Sequence, residues 1–91
     1  MALPKVSEVA HHDRRAFRVR RIFATLAADG ATANLLLTPH EQEILVAAHP
    51  AVFAAVPNAW GRRGWTQMRL DAADATLMAS ALKTAWSNGS A

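Results

Sequence analysis

The sequence predicts an α+β domain in two layers, an antiparallel sheet with helices packed on one of its faces, and three observations carry that prediction. The stretches "AFRV" and "WTQMRL" alternate apolar and polar residues, as strands with one buried side do. The dipeptide Asp29-Gly30 lies between two apolar runs, the mark of a tight hairpin. Two further stretches open on capping residues, Thr38 and Asp71, and continue with apolar positions at helical spacing. Read in order, strands, helix, strand and helix imply helices gathered on one side of an antiparallel sheet.

Residues 1–13 read as an N-terminal lead segment. In "AFRV", Phe17 and Val19 share one side of a strand, and Arg18 and Arg20 the other. After the Arg20–Arg21 pair the apolar run "IFATLAA" resumes, so two short strands are joined by a tight turn that carries arginines. Asp29-Gly30 suits a type I′ turn, because both residues tolerate positive φ. Its return strand points Ala33, Leu35 and Leu37 inward. Thr38 then caps a helix, Pro39 fits the first helical position, and Glu41 completes a capping box. Ile44, Leu45, Ala47 and Ala48 form the inner stripe of that helix, and Pro50 stops it. In "AVFAAVPNAW" Phe53 and Val56 are expected to be buried, while Pro57 and Asn58 mark an irregular or edge segment. Thr66, Met68 and Leu70 face one way and Trp65, Gln67 and Arg69 the other. Asp71 is expected to cap the last helix, with Asp74 near its positive end. Leu77, Ala81 and Ala85, with Met78, Leu82 and Trp86, give it a wide apolar face; Asn88-Gly89 ends it, leaving residues 88–91 as a flexible tail.

Ninety-one residues make one domain, spanning 1–91, and the 52% hydrophobic share places it in the globular class. There is no cysteine, hence no disulfide framework and no thiolate ligand or nucleophile, which fits a reducing cytoplasm. "MALPKVSEVA" lacks the apolar core of a signal peptide, and no run nears the roughly 20 apolar residues of a membrane span. A cytoplasmic location without membrane contact is expected. The pI near 10.7 overstates the charge, because without Tyr or Cys little titrates between the histidines and lysines; a net charge of +3 suffices to raise it.

Chemistry finds little to build on. His11 and Asp13 could share a metal, but His12 points away from them, and two ligands do not make a site. In "HEQEI" Ile44 stands where a zinc-protease helix requires its second histidine. No serine lies on a nucleophile elbow, and "GRRG" lacks both the dinucleotide spacing and the P-loop lysine. The expectation is a non-enzymatic domain without metal or other cofactor. What stands out is arginine. Arg14, Arg15, Arg18, Arg20 and Arg21 crowd "DRRAFRVRR", and Arg62, Arg63 and Arg69 surround Trp65. Such residues can grip phosphates while a tryptophan stacks on a base; equally, they can do no more than solvate a sheet face and a turn.

"LPKVSEVAHHDRRAFRV", "RIFATLA", "LLLTPHEQEILVAAHPAVF" and "GWTQMRLDAADATLMASALKTAW" together resemble the MmcQ/YjbR family of small bacterial proteins. Leu3-Pro4 with Glu8, the Phe-bearing strand pair, His49-Pro50 before Phe53, and Gly64-Trp65 leading through Leu70-Asp71 carry most of the likeness, which spans nearly the whole chain. The resemblance implies a fold similar to secretion chaperones and the frataxin-like CyaY proteins. It also implies DNA binding through a double-wing motif, the wings falling at Arg20–Arg21 or Asp29-Gly30 and at Gly61–Gly64. Two departures accompany it. The family's helix before Leu-Pro is expected to be missing here, and Arg20–Arg21 stands where relatives place a glycine-containing turn.

The leading expectation is a domain that holds DNA phosphates through Arg14, Arg15, Arg18, Arg20, Arg21, Arg62, Arg63 and Arg69, with Trp65 beside them. The alternative is a chaperone-like interaction domain, whose sheet face or exposed groove receives a protein partner or a second copy of the chain through Trp60, Trp65 or Leu36. A frataxin-like iron site is disfavoured, because only Glu41 and Glu43 cluster on a helix.

Overall fold

Alternation in the sequence becomes strands in the chain. The computed structural model describes residue 3, residues 5–11 and residues 13–91, with the backbone alone at residue 11. The elements run β1 (Ser7–His11), β2 (Arg14–Arg18), β3 (Ile22–Leu26), β4 (Thr32–Leu36), α1 (Pro39–Ala48), β5 (Phe53–Ala55), α2 (Ala59–Arg62), β6 (Trp65–Arg69) and α3 (Ala75–Ser90). The sheet has the order β1-β2-β3-β4-β6-β5, with every neighbouring pair antiparallel. Helices α1 and α3 cover one face, and the α+β two-layer expectation holds. The expected lead segment thus contains a strand, β1.

Residues directly opposite across antiparallel strands share a face. Phe17, Ala24, Leu35, Thr66 and Ala55 form one such row, and Ala33, Met68 and Phe53 another, all on the helix side. On this side Phe23, Leu35, Leu37, Phe53 and Met68 are each almost completely buried, in one core with Ala81 and Ala85 of α3. Removing one such large side chain from water is worth about 1.5–3 kcal/mol, so this cluster is the main source of stability. A register shift between Phe17 and Arg18 lets Phe17 face Ala24 while Arg18 faces Ile22. The extra residue is Phe23, and the bulge turns its ring into the core while Ile22 joins Arg18 on the other face.

Several local expectations need correcting. At Asp29-Gly30 only Gly30 has positive φ, so the turn is not type I′; Gly30 N–H donates to Ala27 O, and Asp29 Oδ1 accepts from Ala31 N–H at 2.9 Å. The Thr38–Glu41 capping box is present. The inner stripe of α1, however, is Gln42, Leu45 and Val46; Ile44 is 52% exposed and Ala47 and Ala48 face solvent. Asp74, not Asp71, caps α3, its Oδ1 accepting from Leu77 N–H at 2.7 Å. That helix does not stop at Asn88-Gly89 and leave a tail. It runs through Ser90, because Asn88 Nδ2 donates to Leu36 O and to Glu41 Oε1, and because Gly89 packs against Phe23 and Val19.

Glu41 is therefore a junction of β4, α1 and α3. Partial burial alone would raise its carboxyl pKa, but hydrogen bonds from the Thr38 backbone, the Asn88 amide and the Thr38 hydroxyl outweigh it and hold the pKa below the ordinary carboxylate value.

A candidate ligand-binding hollow on the open sheet face

The face away from α1 and α3 carries the other half of the alternation. Arg14, Ala16 and Arg18 of β2, Ile22 and Thr25 of β3, Thr32, Asn34 and Leu36 of β4, and Trp65, Gln67 and Arg69 of β6 all lie there by register. Its centre is made of short side chains and its edges of long ones. Thr25 and Asn34 form a floor, Arg14 and Ile22 one wall, and Val56, Asn58, Trp60 and Trp65 the other, around a hollow of about 340 Å³.

The second wall depends on the "GRRG" stretch, which is a compact helical turn and not a projecting loop. Asn58 caps α2 by accepting from Trp60 N–H at 2.9 Å, which sets Trp60 beside the hollow with 55% of its surface exposed. Gly61 touches the Val56 carbonyl, and Gly64, at φ 108°, touches the Leu37 carbonyl; a Cβ at either would come within 1.9 Å of a carbonyl oxygen. Gln42 fastens the turn from α1, donating from Nε2 to Gly61 O, Trp65 O and Thr66 Oγ1. The two arginines between those glycines are exposed, and the Arg63 guanidinium lies 5.0 Å from the centre of the Trp60 ring.

The structure sorts the expected site residues into groups. Arg14 lines the hollow, its Nε donating to Thr25 Oγ1 at 2.8 Å and its Nη2 to Thr25 O at 3.4 Å. Trp65 lines it too. Arg18 and Arg69 share that face, the latter 3.7 Å from the exposed Asp71. Arg62, the last residue of α2, and Arg63, its C-cap, are exposed on the turn that carries Trp60 and do not line the hollow. Arg15 is elsewhere: it lies on the helix-side face and holds Glu8 through two hydrogen bonds of 2.6 and 2.7 Å. That hydrogen bonding lowers the Glu8 carboxyl and raises the Arg15 guanidinium. Arg21 binds the C-terminal end of α3, donating from Nη2 to Asn88 O at 2.7 Å, and Arg20 is an exposed turn residue. Sequence reasoning missed Ile22, Thr25, Asn34, Val56 and Asn58. Asn34 had a signal, an amide in the middle of the otherwise small and apolar "TANLL", facing the same way as Gln67 across the ladder.

Glu8 is the one carboxylate within the described strands, and it faces the helices. The open face thus presents guanidinium, indole and amide groups without a strand carboxylate, suited to hold an anionic ligand with flat apolar parts. His11 and Asp13 are by sequence too few ligands for a metal, and the His11 side chain and His12 lie outside the described residues. Among the described residues no three His, Asp or Glu side chains gather as a metal site, and no helix is long and apolar enough to cross a membrane.

No curated protein matches the sequence. Among solved structures the chain is similar to the crystal structure of Deinococcus radiodurans protein DR2400, a DUF419 domain, with a TM-score of 0.79 and 23% identity, over 93% of this chain and 68% of that one. At that identity the likeness speaks for the fold. The YjbR family model matches residues 1–88, from the lead before β1 to the last turn of α3, and the chain therefore belongs to the YjbR family.

Proposed function

We propose that this domain binds nucleic acid on the open face of its sheet, gripping phosphates without catalysing a reaction. The observation that supports the reading best is the composition of that face: Arg14, Arg18 and Arg69 stand on strands bare of carboxylates, beside Trp65 and Trp60. Exposed Arg62 and Arg63, on the turn that carries Trp60, and exposed Arg20 add positive charge to the reading. Arg15 and Arg21 drop out of the contact set, since one is neutralised by Glu8 and the other ties down α3. The polar groups of the hollow are two amides, a hydroxyl and a guanidinium, which orient a ligand but transfer protons poorly near neutral pH. A cytoplasmic location belongs to this reading, as does contact that is largely indifferent to base sequence.

The test is a tryptophan-fluorescence titration with random-sequence oligonucleotides across a salt series. Binding is expected at low salt, with log K falling linearly against log salt and the slope shrinking by about one for each of Arg14→Ala and Arg18→Ala. No response at low salt overturns the proposal. A second reading draws on the apolar walls, Ile22, Val56, Trp60 and Trp65, which would suit a polypeptide segment. It predicts binding that tolerates salt.

A further inference from the structure

We infer that the hollow is a seat for one unpaired base, so that the domain prefers a single strand to a duplex. The inference rests on the nucleic-acid reading above and deepens it. A duplex offers a sheet face only its phosphates and groove edges, whereas a flat base face reaches an indole only when the base is out of the stack. Flat side chains are what the hollow supplies. Trp60 and Trp65 stand on one wall, with Arg63 over the Trp60 ring, so a base there meets indole surface next to a fixed cation.

The dimensions agree. A volume of about 340 Å³ lies at the lower end of the roughly 300–1,000 Å³ typical of small-ligand sites, enough for one base with part of its sugar. Polar groups stand where base edges would fall. The Asn34 side chain makes no hydrogen bond among the described residues, although the rest of its strand is paired; its amide presents one donor group and one acceptor to the hollow. Asn58 commits its Oδ1 to Trp60 N–H and keeps its Nδ2 free. Arg14 commits Nε and Nη2 to Thr25 and keeps Nη1, a cation held in place for the phosphate beside a seated base. Charge complementarity fixes the kind of occupant: an apolar hollow lined by Arg14, with Arg18 opposite the lining Ile22, Arg63 over the lining Trp60 and no carboxylate on its strands, favours a ligand whose flat group is tethered to anions.

Three probes of equal length decide it at matched salt: a mixed-sequence single strand, its duplex, and a strand with the bases removed. The wild-type protein, Trp60→Ala and Asn34→Leu are titrated with each, after far-UV circular dichroism melts show the variants folded; neither side chain makes a hydrogen bond among the described residues, so both variants are expected to fold. The single strand is expected to bind at least about tenfold tighter than the duplex or the abasic strand. Trp60→Ala should weaken the single strand by about 5- to 160-fold, the loss of one stacked base, and leave the duplex unchanged. Asn34→Leu should cut the same preference. If all three probes bind alike, or if Trp60→Ala weakens all three equally, the base seat is wrong while nucleic-acid binding stands. If none binds at low salt, the nucleic-acid reading itself has failed and the seat with it.

Discussion

Replacing Gly61 with alanine probes the joint that carries Trp60 and Arg63. On helix propensity alone alanine should help, since glycine in a helix interior costs about 1 kcal/mol. Packing opposes it. The new methyl carbon would stand 1.9 Å from the Val56 carbonyl oxygen and 2.9 Å from its carbonyl carbon, where carbon and oxygen ordinarily approach to about 3.3 Å at closest. Backbone must therefore move by more than about 1 Å. Val56 cannot yield easily, because its N–H donates to Trp65 O at 3.1 Å and its carbonyl accepts from Asn58 N–H at 2.8 Å. Gln42 holds the Gly61 side of the contact. Overpacking costs about 1–3 kcal/mol, and a contact with backbone on both sides belongs at the upper end. Taking about 3 kcal/mol and returning about 1 for propensity leaves a net loss of about 2 kcal/mol. In a domain of this size that lowers Tm by about 8–16 °C. Thermal melts of the two proteins under identical buffer, followed by far-UV circular dichroism, read it directly. A variant melting at or above the wild type would mean that close approach to Val56 is not what excludes a side chain here, and the account of the turn would fall.

Three further outcomes are expected. Because the folded Glu41 carboxyl is held below its ordinary value, its contribution to stability is present above the unfolded pKa and is lost as pH falls through the lowered folded one; Glu41→Gln should flatten the acid limb of Tm against pH, and an unchanged limb would contradict the junction. Ile44→Gln should change stability by no more than about 0.5 kcal/mol while Leu35→Ala costs about 2–5 in urea denaturation, and a large loss from Ile44→Gln would mean that Ile44 belongs to the inner face of α1. Arg14→Ala should weaken oligonucleotide binding whereas Arg15→Ala leaves it unaltered; equal losses would argue for net charge over placement.

Where neighbours in sequence decide the conformation, the chain is readable by eye. The Thr38–Glu41 box, the inward set Ala33, Leu35 and Leu37, the alternation from Trp65 to Leu70 and the arginine-bearing turn before Ile22 are all of this kind. Errors arise where distant partners decide. Asn88-Gly89 looks like a helix stop, yet Leu36 and Glu41 draw Asn88 into one more turn. Ile44 and Leu45 are equally apolar, and only the way α1 meets the sheet buries one and exposes the other. "SEVAH" has too little apolar character to announce an edge strand, and the bulge at Phe23 leaves no mark in composition. The candidate site was half legible: its arginines and tryptophans stand out, but the hollow joins residue 14 to residue 65, and no local pattern records that Asn34 is its floor.

The strand order gives the hollow a history as well as a shape. Strands β1 to β4 follow one another as hairpins, so Arg14, Ile22, Thr25 and Asn34 come together through short loops that close quickly. Trp65 arrives only when β6 settles between β4 and β5, a pairing of Leu36 with Trp65 that must wait for α1, β5 and α2 to be threaded past. The arginine side of the hollow thus rests on contacts local in sequence and its aromatic wall on a distant one, so a change that loosens β6 between its neighbours costs the hollow Trp65 before it disturbs the hairpins.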